Sequence, residues 1–161
     1  MKFYTVFLFI MVPLLTSCTV PHDSNPSAQR VQYLTSEKMQ ALKLPFSEAV
    51  RVGNLLFLSG QVGVLPGTLD LAPGGIAGET RQALDNINKV LQDNGASMDD
   101  LVKCTIMLAD IGEWGDMNKV YATYFPKHFP ARSAFATNGL ALGARTEIEC
   151  IAVFGEDKDG Q

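Results

Sequence analysis

Two side chains of this sequence could act on a small anion: Arg132, in Phe129-Pro130-Ala131-Arg132-Ser133, and Glu147, in Thr146-Glu147-Ile148-Glu149-Cys150-Ile151-Ala152-Val153. A guanidinium is a planar fork of donors that grips a carboxylate with two parallel hydrogen bonds, and a nearby glutamate can hold or activate a water. The spacing places the two on neighbouring strands. That arrangement suits a small carboxylate-bearing substrate, and it equally suits a structural salt bridge between strands, which is the commoner use of such a pair. Residue types and spacing leave both readings open.

The rest of the chain narrows the chemistry. There are two histidines, His22 in a turn-rich stretch and His128 in a Pro-flanked loop, so no imidazole triad or metal-ligand cluster can be assembled. The expected chemistry uses neither a metal nor an organic cofactor, and His128 is expected as a solvated loop residue. The glycines of the loop 65–75 lack the Lys-Ser/Thr ending of a phosphate cradle. Cys104 and Cys150 fall on predicted strands and are expected as small buried apolar residues, more often than as nucleophiles or the two halves of a disulfide.

The elements that must position these residues follow from periodicity. Residues 49–52 and 55–59 are β-like and are separated by Gly53-Asn54, a dipeptide that tolerates the positive φ of a tight hairpin. Over 76–94, Ala83, Leu84, Ile87, Val90 and Leu91 share one helical face, and Gly95 supplies a stop. Residues 101–109 read as a central strand, apolar apart from Lys103 and Thr105. Asp110 and Glu113 resemble a capping box for a second helix, whose Trp114, Met117, Tyr121 and Phe125 are expected in the core before Pro126 ends it. Residues 131–137 and 145–154 complete the sheet. Alternation puts Arg132, Ala134 and Ala136 on one face and Ser133, Phe135 and Thr137 on the other. Glu147 and Glu149 share a face with Ile151 and Val153, as if the strand passed from a cleft into the core.

This order predicts an α+β fold, a mixed β-sheet with two helices packed on one face. Leu55, Phe57, Ile148, Cys150 and Ala152 offer more apolar surface than two helices cover, which points to self-association.

The chain has 161 residues, of which 47% are apolar and 19% charged, enough for one domain. Its first seventeen residues stand apart: Lys2 precedes an apolar run at 3–15 that is too short for a bilayer and suits a secretory signal. Leu15-Thr16-Ser17-Cys18 looks like a bacterial lipobox, which makes Cys18 the expected lipidation site. Residues 18–34 then read as the lipidated Cys and a flexible tether, 35–155 as the domain and 156–161 as a tail. The expected location is the bacterial cell envelope, anchored to a membrane through lipid. Thr19, where an Asp would favour inner-membrane retention in enteric bacteria, favours the outer membrane facing the periplasm. The net charge of −4 shows no basic stripe, so nucleic acid is not an expected partner.

Seven segments together resemble the Rid family of reactive intermediate deaminases, also called YjgF. They are the two strands above with Pro45-Phe46-Ser47-Glu48-Ala49-Val50, Leu58-Ser59-Gly60-Gln61-Val62, Gln82-Ala83-Leu84-Asp85-Asn86-Ile87, Val102-Lys103-Cys104-Thr105 and Met117-Asn118-Lys119-Val120-Tyr121. The resemblance spans roughly residues 44–155. It implies a chorismate-mutase-like fold and a homotrimer with active sites in the clefts between subunits. It also implies hydrolysis of 2-imino or enamine acids to 2-oxo acids and ammonia, as by a 2-iminobutanoate/2-iminopropanoate deaminase.

In that reading Arg132 clamps the carboxylate of a small 2-imino or 2-oxo acid, and Glu147 orients the attacking water. Backbone groups near Ser133 and Ser59-Gly60 fix the nitrogen, and Asn118 and Ala134 are further pocket residues, while Glu149 is structural. The chain departs from the family pattern at Phe46, where the family usually has Tyr, and at Glu48, where it has Gln. A non-catalytic envelope module that binds small carboxylates in the same Arg cleft is the alternative function. Chaperone or ribonuclease activity, attributed to some relatives, is a third, and the acidic balance disfavours its nuclease form.

Overall fold

A computed structural model describes residues 31–154. The expected leader, Cys18, most of the tether and the tail 156–161 lie outside the described residues. The rest form a seven-stranded sheet in the order β1-β2-β3-β7-β5-β6, with β4 also paired to β7. The strands are β1 (Val31–Leu34), β2 (Ala49–Val52), β3 (Leu55–Leu58), β4 (Gln61–Val62), β5 (Leu101–Leu108), β6 (Ala131–Ala136) and β7 (Thr146–Val153). Three helices accompany them: the short α1 (Glu37–Ala41), the long α2 (Gly75–Asp93) and α3 (Trp114–Tyr121). Strand β1 extends the sheet four residues ahead of the expected domain start, by antiparallel pairing of Val31–Leu34 with β2.

Local chemistry sets most of these elements. The β2–β3 hairpin turns at Gly53, whose φ of 58° is the left-handed conformation that a tight turn needs. Helix α2 buries Ala83, Leu84, Ile87, Val90 and Leu91, all five residues of the expected stripe, and Gly95 ends it at φ 78°. Its stripe packs on Leu56, Ile106, Leu108 and Ile148 of the sheet. Fully burying a Leu or Ile contributes about 1.5–3 kcal/mol, and cutting Leu84 to Ala would cost about 2–5 kcal/mol because the rigid sheet behind it cannot collapse.

Four expectations change. Asp110 accepts from the Gly112 N–H at 2.8 Å, but Glu113 does not reach back to complete a capping box; it pairs with Arg145 instead. The reciprocal box forms at Ser97 and Asp100, ahead of β5. Trp114 is not core: Met117, Tyr121 and Phe125 are buried, while the indole is 45% exposed. The apolar residues assigned to the second face also divide. Ile148, Cys150 and Ala152 face the helices and are buried, whereas Leu55 and Phe57 lie on the open face opposite Val153 and Ile151, so Glu147 and Glu149 do not lead into the core.

Cys104 and Cys150 are not separate apolar residues either. They form a disulfide, because the β5–β7 register sets them directly opposite each other with their Cα atoms 4.1 Å apart. Directly opposed antiparallel residues can approach this closely, and both side chains point into the same core layer.

Candidate active site: two half-sites on opposite faces of one sheet

Arg132 lies on β6, the outer strand, paired in parallel with β5. Its register partner is Cys104, a core residue, so Arg132 shares the helix-bearing face with Ala134 and Ala136. There the guanidinium carbon sits 4.8 Å from the ring centre of Tyr121 and 5.8 Å from that of Trp114. Both rings come from α3, at positions i and i+7 of one stripe, and the half-buried Asn118 lies between them at i+4. Ring faces hold a guanidinium without occupying its in-plane donors, and each such contact contributes about 0.5–2 kcal/mol. No ion pair or hydrogen bond joins those donors to another side chain among the described residues. The Tyr121 hydroxyl is buried without a partner among the described residues, and burial pushes its pKa up to about 12, against the opposing pull of Arg132.

Glu147 belongs to the other face. Its neighbours across the ladders are Val62 on β4 and Met107 on β5, and it is half-buried. Desolvation raises its proton affinity above that of an ordinary carboxyl group, and the like charge of Glu149 adds to the effect.

The slot for its carboxylate is made by a bulge. Between the pairs Phe57↔Ile151 and Gln61↔Ile148, three residues of the β3–β4 segment pass two of β7, so one extra residue is accommodated around Ser59-Gly60. A Cβ at Gly60 would lie 2.0 Å from Glu147 Oε1, closer than any side chain allows. Ser59 anchors the bulge by donating its hydroxyl to the Ser47 carbonyl at 2.6 Å, while its N–H donates to the Glu48 carbonyl at 3.0 Å. That bond sets Phe46, 50% exposed, in the segment beside the bulge.

The expected residues therefore sort into two groups. Arg132, Asn118 and Ala134 lie on the helix side, and Glu147, Ser59, Gly60 and the segment of Phe46 lie at the bulge. Arg132 and Glu147 are not on neighbouring strands: β5 runs between β6 and β7, and the two side chains leave opposite faces of the sheet. The structural salt bridge is thereby excluded within one chain. Ser133 also turns away from Arg132, and its hydroxyl accepts from Lys103 Nζ at 2.8 Å on the open face. His128 stays in its loop, with Nε2 3.2 Å from the Asp99 carbonyl. The residue missed from sequence is Trp114; its helical spacing signalled a core position, and only its exposure beside the cation shows otherwise.

The sequence model described as Endoribonuclease L-PSP matches residues 36–154. The 2-iminobutanoate/2-iminopropanoate deaminase of Mus musculus is 41% identical over 122 residues, which cover 76% of this chain and 90% of that protein. Among solved structures, the Rid-family protein YyfA of Yersinia pestis superposes with a TM-score of 0.71 at 36% identity, covering 77% of this chain and 99% of its own. TdcF of E. coli with bound serine gives 0.66 at 30% identity over 70% of this chain and 90% of its own. With nearly the whole folded domain matched in sequence and in architecture, the chain belongs to the Rid (YjgF, endoribonuclease L-PSP) family.

Proposed function

We propose that the protein is a hydrolytic deaminase of 2-imino acids whose active site forms between two copies of the chain. The observation that carries this reading is the separation of Arg132, held by two rings with no side chain on its in-plane donors among the described residues, and a slotted Glu147 onto opposite faces. Neither half suffices: a cation without a base binds a carboxylate but does not deliver water, and a base without the cation has no substrate held against it.

In the assembled cleft Arg132 grips the substrate carboxylate. Glu147 takes a proton from a water whose oxygen adds to the C=N carbon, and the imine nitrogen gains a proton. The resulting carbinolamine collapses as its hydroxyl proton passes through Glu147 to the nitrogen, the oxygen forms a C=O bond and the C–N bond breaks, releasing ammonia and a 2-oxo acid. A raised proton affinity suits Glu147 to both the uptake and the return of that proton. No metal or organic group is required for this sequence of steps. The deaminase name of the mouse relative and the serine, an amino acid with a free carboxylate, bound to TdcF support the substrate class.

The open face supports assembly into a homotrimer. It exposes Phe57 and Phe135 around the polar residues Lys103, Thr105 and Glu149, a mixture that neighbouring copies of the chain could cover in a closed ring. The net charge of −4 does not favour RNA as a substrate. The lipobox-like motif at Cys18 and the Cys104–Cys150 disulfide both suit an exported, lipid-anchored protein in the oxidising envelope, since disulfides persist in such compartments. Replacing Cys18 with Ser and fractionating membranes tests the anchor; recovery of both forms in the same membrane fraction would remove that part of the reading.

The deciding experiment adds the protein to 2-iminopropanoate generated in situ and follows pyruvate, with Arg132→Ala as control. Acceleration abolished in the control is expected. A folded protein that binds carboxylates through Arg132 without turnover would instead favour the envelope binding module, with the missing Phe46 hydroxyl as its chemical reason.

A further inference from the structure

We propose that Trp114 is the specificity-determining wall of the carboxylate site, and that it fits the site to 2-imino acids with an aromatic side chain in preference to those with a methyl group. The inference rests on the deaminase reading for its substrate and on the geometry around Arg132 for its specificity.

Two rings flank the guanidinium, and they differ in what they can offer a ligand. Tyr121 is 3% exposed, so its surface is already spent on the core. Trp114 stands at the first position of α3, 5.8 Å from the cation, with nearly half its surface open. The other groups of that turn are engaged elsewhere: Glu113 pairs with Arg145, and Asp116 with Lys119 at 2.7 Å. The indole and the Asn118 amide are what remains on the stripe facing Arg132.

A carboxylate seated on the guanidinium edge places its own side chain within a few ångströms of the cation, which is where the open indole lies. A methyl group covers little of that ring. A phenyl group covers much of one face and gains an aromatic contact as well, which converts to a preference of about tenfold. The opposing half-site is aromatic too, with Phe46 half-exposed beside the bulge that holds Glu147.

Trp114 is the chain's sole tryptophan, so its fluorescence reports on this site alone. The test compares wild type, Trp114→Ala, Trp114→Phe and Arg132→Ala in the full chain, with oligomeric state measured for each. Imines are generated in situ from alanine and from phenylalanine. Propanoate and 3-phenylpropanoate serve as non-reacting carboxylates.

Wild type is expected to prefer the phenylalanine-derived imine by about tenfold in kcat/KM. Trp114→Ala should lose that preference because KM for the phenylalanine-derived imine rises about tenfold more than KM for the alanine-derived one, and Trp114→Phe should restore it. In wild type 3-phenylpropanoate should perturb the fluorescence and bind more tightly than propanoate, with both lost in Arg132→Ala. Equal turnover of the two imines by wild type overturns the proposal. So does an equal loss toward both in Trp114→Ala, which would make the indole only a support for Arg132. If no imine is hydrolysed, the deaminase reading fails separately, and the two carboxylates still decide the wall. Tighter binding of 3-phenylpropanoate that disappears in Trp114→Ala, followed by calorimetry, sustains it; equal binding removes it.

Discussion

The two faces of the sheet are finished to different degrees. On one, α2 and α3 bury a continuous core that is crossed by the Cys104–Cys150 disulfide, and Arg132 is held at its border by rings from α3. On the other, Phe57, Phe135 and the Lys103–Ser133 pair meet no helix, and Glu147 rests in a slot cut by a single glycine. The chain thus completes its own core and leaves its own chemistry incomplete. A cation and a base on opposite faces of one rigid layer cannot meet within a protomer, so on the deaminase reading proposed above the site must draw them from two copies.

The sharpest way to break that comparison is to mix two dead proteins. Arg132→Ala and Glu147→Gln are each expected to be inactive, yet unfolding and refolding them together should restore activity at about a quarter of the sites, since each site draws its arginine and its glutamate from different copies. Activity that stays at background in mixed oligomers would place both residues in one chain's site.

The next effect is chemical. Arg132→Ala should lower kcat/KM by roughly a hundredfold to ten-thousandfold, because two charged hydrogen bonds of about 1.5–3 kcal/mol each disappear, and Arg132→Lys should not rescue it because an ammonium lacks the fork. Steady-state kinetics on one imine decides this, and full activity of the lysine variant would contradict a bidentate clamp.

Gly60→Ala tests the slot on the other face. The added Cβ would displace the Glu147 carboxylate, so kcat should fall about tenfold or more while carboxylate binding through Arg132 is retained. Unchanged kcat would mean that the carboxylate works from another position.

Reduction of the disulfide sharpens the contrast from the core side. The double variant Cys104→Ala, Cys150→Ala should lose about 2–4 kcal/mol of stability in denaturant titrations, the usual effect of freeing a long loop in the unfolded chain. Its kcat should stay near that of wild type. An equal denaturation midpoint with and without reductant would show that the cross-link does not hold the core.

The smallest effect concerns Glu147 and pH. Its folded-state pKa is raised, so the folded state binds its proton more strongly than the unfolded state does, and stability contributed by that proton is lost as pH rises through the raised value. Glu147→Gln should therefore unfold at a slightly higher temperature than wild type at neutral pH, and the advantage should vanish below the ordinary glutamate range near about 4.3. The wild-type activity profile should show an acid limb above that range. A Tm difference that does not change with pH would deny the burial cost.

By itself the sequence determined what depends on a residue and its near neighbours. The helical stripe from Ala83 to Leu91 and the faces shared by Arg132 with Ala134 and by Glu147 with Glu149 follow from local periodicity, because side-chain direction repeats every 3.6 or 2.0 residues, and the Gly53 turn follows from the freedom of one residue. Alternation fixes direction only within a strand. Which face of the sheet a strand then shares with its neighbours depends on pairing and register, set by contacts between residues far apart in the chain. Tertiary structure alone therefore placed β5 between Arg132 and Glu147, put Cys104 opposite Cys150, and added the one-residue slip that cuts the slot at Gly60. It also left Trp114 open to solvent, since spacing marks a helix face as apolar and only packing decides whether that face is covered.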